Sequence, residues 1–374
     1  MFATGLRCHD CGTVYDPDKI VYRCDCGGSL KVVYDYDKIS DRLDWQTLKG
    51  RHYDHHRYSE FFPVLDNNHV VAMGEGGTPL VEATSFGDRL GLDDLYFKVE
   101  GMNPTGSFKD RGTTVEIGKA LDHGADQIVV ASTGNMGASI AAYAARAGLP
   151  ANIFIPRNVS DIKLQQMQAH GAKIHRVDGD YAAAAEQAYQ AHEEHGWYLM
   201  GDYAYRGEGE KSVGFEIMDQ LQADHVVLPV GNGTLMHGTY KGIREMERVG
   251  LIDKDDIPTM HGMQAAGCST VARAFQEGLD EVPEEEDVDT LAGAIACGDP
   301  LDGEFALEAV RESGGTAAAF PDEKLVEARD LLAEEEGIYA EESCGAALAG
   351  ILDDPEKFRG GTVVCVVTGH GLKT

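Results

Sequence analysis

One lysine stands in a segment that is well suited to chemistry. The stretch NPTGSFKDRG occupies residues 103–112, and Lys109 lies in it between a phenylalanine and an aspartate, after small and turn-forming residues. A lysine amine acts as a nucleophile or base near neutral pH only when it is partly removed from water. This setting therefore favours a reactive Lys109 over a solvated surface lysine.

Three glycine-rich segments follow predicted buried strands. They are STGNMGAS (132–139), PVGNGT (229–234) and VVTGHG (366–371). In parallel α/β sheets, ligands gather at the carboxyl ends of strands, and the free amides at the start of the next helix bind phosphate or carboxylate. Each segment alone would also fit an ordinary tight turn, so together they predict one or more anion sites.

The kind of cofactor follows from what is present and what is missing. The sequence contains no GxGxxG in the required context and no GxxxxGKS, which weighs against dinucleotide and nucleoside-triphosphate binding. Pyridoxal phosphate needs a lysine amine for its aldehyde and a cradle of N–H groups for its phosphate. The combination of Lys109 with the glycine-rich turns therefore indicates this cofactor.

The order of apolar runs predicts the fold class. Runs that read as buried strands alternate with amphipathic helical patterns, and they include QIVVAST (127–133), PANIFIP (150–156), HVVLPVG (225–231) and GTVVCVVTG (361–369). This rhythm predicts an α/β fold with parallel sheets that are covered by helices on both faces.

The net charge of the chain argues against two classes of binding partner. The 374 residues include 63 acidic and 32 basic side chains, for a net charge of −31. Such a surface repels nucleic acid and anionic membranes, so neither is expected as a partner. No apolar run approaches the roughly 20 residues of a transmembrane helix. With no signal peptide at the start, we expect a cytoplasmic protein, and the acidity resembles that of proteins from salt-accumulating halophiles.

Four of the eight cysteines crowd into the first 26 residues. Cys8 and Cys11 are separated by two residues, and Cys24 and Cys26 by one. Four thiolates of this kind predict a structural zinc site of the ribbon type. The alternative is a set of reduced thiols that are merely packed together.

Five motifs in register resemble the fold-type II pyridoxal-phosphate enzymes and, within them, the threonine synthase family. They are GEGGTPL (74–80), NPTGSFKDRG, STGNMGAS, PVGNGT and TGHGLK (368–373), and RGEGEKSVGFEI (206–217) is also similar. The resemblance implies two open, mostly parallel sheets with helices on both faces. We expect a ribbon-like segment at 1–36, a large cofactor-binding domain from 37–100 and 206–374, and a small substrate-side domain at 101–205. Some archaeal members carry a similar ribbon.

The resemblance also implies roles for individual residues. Lys109 would bind the cofactor and then move protons, Phe108 would pack beside its ring, Asn135 would bond its phenolic oxygen, and Thr368 would face its pyridine nitrogen. The backbone of the next turn would hold the phosphate, through Gly231, Asn232, Gly233 and Thr234. Residues near the substrate would be Ser132 and Thr133 for its carboxylate, and Ser107, Arg206 and Lys211 for its phosphate. Met136, and Met200 with Gly201, depart from the family pattern.

The reaction implied is the conversion of O-phospho-L-homoserine and water to L-threonine and phosphate. The alternatives are another lyase or β-replacement enzyme of the same fold, such as a threonine dehydratase or a cysteate synthase. Asp110 after the lysine speaks against a dehydratase. A regulator that binds the cofactor without turnover, with the ribbon as a docking module, is a rival of another class. The sequence leaves the oligomeric state open, with a homodimer among the options.

Overall fold

A computed structural model describes residues 2–159 and 161–373 of the chain. The strands are β1 Ala3–Cys8, β2 Val14–Tyr15, β3 Leu30–Tyr34, β4 Leu80–Glu82, β5 Leu95–Val99, β6 Ile128–Ala131, β7 Ala151–Pro156, β8 Lys173–Val177, β9 Tyr198–Leu199, β10 His225–Pro229, β11 Thr259–Ala265, β12 Thr316–Phe320 and β13 Val363–Val367. The helices are α1 Tyr36–Ser40, α2 Trp45–Lys49, α3 Ser85–Leu90, α4 Lys109–Asp122, α5 Asn135–Ala147, α6 Asp161–Ala169, α7 Tyr181–His195, α8 Ala204–Glu210, α9 Ser212–Gln220, α10 Thr234–Arg248, α11 Thr270–Glu277, α12 Gly303–Glu312, α13 Asp322–Glu336 and α14 Gly345–Asp353.

The chain forms two compact units, each built from separate stretches of sequence. The first unit contains the residues up to Ile39 together with Tyr58–Glu75 and Lys109–Gly209. The second contains Ser40–Arg57, Gly76–Phe108 and the residues from Glu210 onward. The assignment of 37–100 and 206–374 to a cofactor-binding domain, and of 101–205 to a substrate-side domain, stays a prediction from the sequence.

The first unit holds a small antiparallel sheet and a parallel one. The antiparallel sheet has the order β2-β1-β3 and belongs to the cysteine-bearing segment. The other has the order β8-β7-β6-β9, and all of its neighbouring strands are parallel. Strand β6 is buried along its whole length, as its continuous apolar run predicts.

Helices cover both faces of this parallel sheet. On one face, Ile128 and Val130 of β6 pack with Ile140 of α5. On the other face, Val129 packs with Ala184 of α7. Because side chains alternate along a strand, neighbouring residues of β6 meet different helices. The predicted covering of the sheet by helices on both faces is thus confirmed here.

The second unit is built on one larger sheet. Its strand order is β12-β11-β10-β13-β5-β4, and every pair is parallel except β4 with β5. The α/β class and the mostly parallel sheets predicted from the sequence are therefore confirmed. Strands β10, β13 and β5 are neighbours, so the segments that follow them begin at the same edge of the sheet.

Within the part of the chain that is described, none of the helices combines the length and the apolar character needed to cross a bilayer.

Candidate active site

Lys109 is the first residue of α4, directly after the turn that the motif predicted. The lysine is half-buried, whereas the next residue, Asp110, is fully buried. Gly106 in the preceding turn has φ = +89°, and a Cβ there would lie 3.1 Å from the side chain of Lys373. The positive φ therefore favours a glycine at this position, whereas the flexible Lys373 side chain could move aside for a Cβ.

Polar contacts connect the first turn of α4 to α5. Ser139 donates its hydroxyl hydrogen to Asp110 Oδ1 at 2.6 Å, and its oxygen lies 2.8 Å from Thr113 Oγ1. Thr113 also bonds the carbonyl of Lys109 at 2.9 Å. Asn135 begins α5, one turn before Ser139. The two helices that begin with Lys109 and Asn135 are thus held to each other by buried side chains.

The turn before α5 leaves several hydrogen-bond donors without an intrahelical acceptor. Ser132 lies at the end of the buried strand β6, and its Oγ accepts a hydrogen bond from the Gly137 amide at 2.9 Å. The hydroxyl hydrogen of Ser132 therefore remains able to point at a ligand. Thr133 is half-buried beside it, and the N-cap Gly134 brings no side chain over the helix start. The first N–H groups of α5 favour an anion.

In the second unit, the end of the cofactor motif meets the end of β13. The Phe108 amide donates to the carbonyl of Thr368 at 3.0 Å, and Ser107 pairs with Gly369 in an isolated bridge. Ser107 is fully buried, and its Oγ has no hydrogen-bond partner among the described residues. A buried hydroxyl without a partner costs stability unless a ligand supplies one, which marks Ser107 as a ligand-binding candidate.

The side chain of Thr368 contacts the thiol of Cys344. Cys344 Sγ lies 3.3 Å from Thr368 Oγ1, and both residues are buried. Burial raises the pKa of Cys344 to about 12, so the thiol keeps its proton near neutral pH. The contact therefore fixes the orientation of the Thr368 hydroxyl without adding charge.

The turn at 231–234 is held by contacts with the stretch around Asp302. Gly233 has φ = +95°, and a Cβ on it would lie 2.4 Å from the carbonyl of Asp302. Asn232 Oδ1 accepts the Leu301 amide at 2.8 Å, while Thr234 donates its hydroxyl to Asp302 Oδ2 at 2.6 Å. The following helix α10 begins at Thr234 with a glycine N-cap, which leaves backbone N–H groups to face an anion.

Arg206 and Lys211 are both fully buried beside carboxylates of their own units. The Arg206 guanidinium contacts Glu116 and donates to the carbonyl of Gly201 at 3.3 Å. Lys211 Nζ lies 2.7 Å from Glu245 Oε2. A substrate phosphate would have to compete with these carboxylates, and no local pattern in the sequence points to either pair. Their predicted role as phosphate ligands stays a prediction.

The amino-terminal cysteines come together as predicted. The sulfur atoms of all four residues lie within 4.8 Å of one another, and the pairs Cys8–Cys26 and Cys11–Cys24 are each 3.5 Å apart. Tetrahedral zinc with Zn–S bonds of about 2.3 Å needs sulfurs about 3.8 Å apart, so the arrangement fits the ion.

Several residues around these sites were missed from the sequence. Glu116 lies seven positions after Lys109, and therefore on the same face of α4. Ser139 closes the predicted STGNMGAS motif. Helical spacing could have indicated both of them. Asp302 and Cys344 contact their partners only through tertiary folding, and no local pattern points to them.

Comparison with known proteins agrees with this geometry. The family described as "Pyridoxal-phosphate dependent enzyme" matches residues 71–369. Threonine synthase from Methanocaldococcus jannaschii is 40% identical, over 98% of this chain and 92% of that protein. Threonine synthase from Mycobacterium tuberculosis is 41% identical, over 84% of this chain and 87% of that one.

Solved structures share the fold. Maize serine racemase superposes with a TM-score of 0.69 at 24% identity, over 79% of this chain and 88% of that one. A processed threonine deaminase from Solanum lycopersicum has a TM-score of 0.68 at 22% identity, over 78% and 83% of the two chains. From the family match and the extent of these similarities, the chain belongs to the pyridoxal-phosphate-dependent enzymes and, among them, to the threonine synthase family.

Proposed function

We propose that this chain is a threonine synthase that converts O-phospho-L-homoserine and water to L-threonine and inorganic phosphate. The observation that carries the proposal is the similarity to archaeal relatives named threonine synthase along nearly the whole chain. The buried, glycine-rich surroundings of Lys109 and the turn at 231–234 support the same conclusion.

The residues present fit pyridoxal phosphate. The helix α10 begins with a glycine N-cap at Gly233, so no capping side chain occupies the free backbone amides there, which suits a phosphate group. We propose that the amides of Gly231, Asn232, Gly233 and Thr234 hold the cofactor phosphate, with Thr368 at the pyridine nitrogen and Asn135 at the phenolic oxygen. When bound, the cofactor supplies an electron-withdrawing ring that acidifies the carbon-bound hydrogens of an amino acid.

Lys109 is proposed as the residue that attaches to the cofactor and moves protons. Its Nζ would take the proton from the α-carbon of the substrate and return protons at later steps. Phe108 would pack beside the cofactor ring. The hydrogen bond of Thr113 to the Lys109 carbonyl fixes the backbone of Lys109, so that only the lysine side chain has to move.

Substrate groups are assigned by the chemistry of the residues. Ser132 and Thr133, with the amides at the start of α5, are proposed to hold the α-carboxylate. Among Ser107, Arg206 and Lys211, the predicted phosphate residues, Ser107 has a buried hydroxyl that lacks a partner among the described residues. It is therefore the best supported of the three.

We further propose that Cys8, Cys11, Cys24 and Cys26 hold one structural zinc ion. The distances between their sulfur atoms support this proposal. A cytoplasmic location, a halophilic source and a homodimer stay predictions from the sequence.

The test is to incubate the purified holoenzyme, in high salt, with O-phospho-L-homoserine, L-threonine, L-serine and O-phospho-L-serine. Threonine, phosphate, ammonia and 2-oxoacid would be followed together. We expect threonine and phosphate in equal amounts from phosphohomoserine, and loss of both with Lys109→Ala. Ammonia and 2-oxoacid as the main products from threonine or serine would favour the dehydratase-like alternative instead.

A further inference from the structure

The cysteine-bearing segment contacts the rest of the first unit through Tyr34, the last residue of β3. Its hydroxyl donates to Glu208 Oε2 at 2.7 Å. Both side chains are buried, with Tyr34 6% and Glu208 2% exposed. Glu208 lies on α8, two residues after Arg206. A hydrogen bond to a buried carboxylate is among the stronger side-chain contacts, so β3 fixes the position of α8.

A second tyrosine of the same segment holds the chain just before α8. The Tyr22 hydroxyl oxygen accepts the Leu199 amide at 3.0 Å. Its ring packs against Tyr203 at 4.9 Å and against His192 at 5.2 Å between ring centroids. The cysteine-bearing segment therefore contacts both ends of the stretch from 199 to 208.

Helix α8 in turn lies directly on the first turn of α4. A Cβ at Gly209 would be only 2.0 Å from the carbonyl oxygen of Arg111. A Cβ at Gly112 would be 2.9 Å from Arg206 Cγ. Glycines on both helices thus allow their backbones to touch, two to three residues after Lys109. Because packed interiors transmit displacement, α8 cannot shift without disturbing the start of α4.

We propose that the cysteine-bearing segment is a positioning element for the helix that carries Lys109, and that Tyr34 is the positioning residue through which it acts. The inference rests on the proposed attachment of the cofactor to Lys109. It gives the segment a role inside the enzyme, in place of the docking of a partner protein. Loss of metal from the cysteine cluster should then loosen the first turn of α4, although no cysteine belongs to the cofactor-binding residues and the cofactor stays bound.

The contact can be removed with little other change. Tyr34→Phe deletes the hydroxyl and keeps the ring, and Glu208→Gln keeps the shape of its partner. Tyr240→Phe is the matched control, because Tyr240 also donates to a carboxylate, Glu312, but in the second unit. The double variant Tyr34→Phe with Glu208→Gln completes a cycle that isolates the pair.

Hydrogen exchange of the resting holoenzyme, followed by mass spectrometry, gives a readout that needs no substrate. The amides of residues 113–116 close the first turn of α4 by bonding the carbonyls of 109–112. In Tyr34→Phe we expect them to exchange about tenfold faster, the scale of one lost bond to a carboxylate, while β10 and β13 stay unchanged. The double variant should add little to either single one, and Tyr240→Phe should leave 113–116 as in the wild type.

The same enzyme preparations give a kinetic readout. We expect kcat with phosphohomoserine to fall about fivefold in Tyr34→Phe, with KM changed less than twofold, because a misplaced lysine affects the chemical steps more than binding. Unchanged exchange at 113–116, or an equal rise throughout both units, would overturn the inference. A wild-type enzyme that makes no threonine would refute the proposed function. The exchange result would still support or overturn the link from Tyr34 to α4, because it needs no substrate.

Discussion

Arg206 and Glu116 form an ion pair from which water is excluded. Arg206 is fully buried and Glu116 is 3% exposed, and the second oxygen of Glu116 accepts the Gly201 amide at 3.1 Å. The carboxylate thus joins α4 to the stretch that leads into α8. A buried charge whose partner is removed costs far more than a solvated one, which makes this pair a point where stability can be tested.

Glu116→Gln should lower the free energy of unfolding by about 3 kcal/mol, because it leaves the Arg206 charge poorly compensated. The measurement is urea unfolding of the apoprotein, followed by fluorescence. Asp178→Asn is the control, since the Arg157–Asp178 pair of the same unit is exposed. An exposed pair contributes about 0–1 kcal/mol, so equal losses in the two variants would contradict the role given to Glu116.

Ser107→Ala should separate a ligand contact from a structural one. The Ser107 hydroxyl makes no hydrogen bond within the described part of the chain, so its removal should raise the free energy of unfolding of the apoprotein by about 1 kcal/mol. If the hydroxyl binds the substrate phosphate, kcat/KM for phosphohomoserine should fall about tenfold. Steady-state phosphate release gives this number. Wild-type efficiency in the variant would remove Ser107 from the substrate site.

The purified protein should contain about one zinc ion per chain after dialysis. Cys8→Ser combined with Cys24→Ser should abolish the zinc and keep the visible absorbance of the bound cofactor, because the cofactor residues lie elsewhere in the chain. Cys268→Ser, at a buried cysteine outside the cluster, is the control and should retain the metal. Elemental analysis decides the matter, and undiminished zinc in the double variant would exclude the cluster as its ligand set.

Salt should stabilise the protein strongly. At a net charge of −31, self-repulsion opposes the compact state, and dissolved ions screen it. The melting temperature should therefore rise by several degrees between dilute buffer and molar potassium chloride. A melting temperature that stays level over this range would contradict the halophilic interpretation of the composition.

The sequence predicted those features that depend on local pattern. The turn before Lys109, the glycine-rich turns and the apolar strands could be recognised because a few neighbouring residues determine each of them. The cysteine cluster was found in the same way, from ligand spacing and chemistry.

What could not be predicted depends on distant parts of the chain. Arg206 and Glu116 are 90 residues apart, and Tyr34 and Glu208 are 174 apart. Nothing in the local sequence shows that these side chains are buried together, so the sequence alone does not reveal that Arg206 is paired with a carboxylate. Contacts between helices and strands that are distant in the sequence determine which side chains are buried. Burial in turn determines whether a charged side chain is accessible to a ligand.

The central claim is tested most directly by running the reaction in water enriched in ¹⁸O. Loss of phosphate from the γ-carbon breaks a carbon–oxygen bond, so the phosphate keeps all its original oxygens, and the water adds at the β-carbon. The account predicts threonine with one ¹⁸O in its hydroxyl group and unlabelled phosphate, in equal amounts, as measured by mass spectrometry. Labelled phosphate together with homoserine would show simple ester hydrolysis and would contradict the assignment of this chain as a threonine synthase.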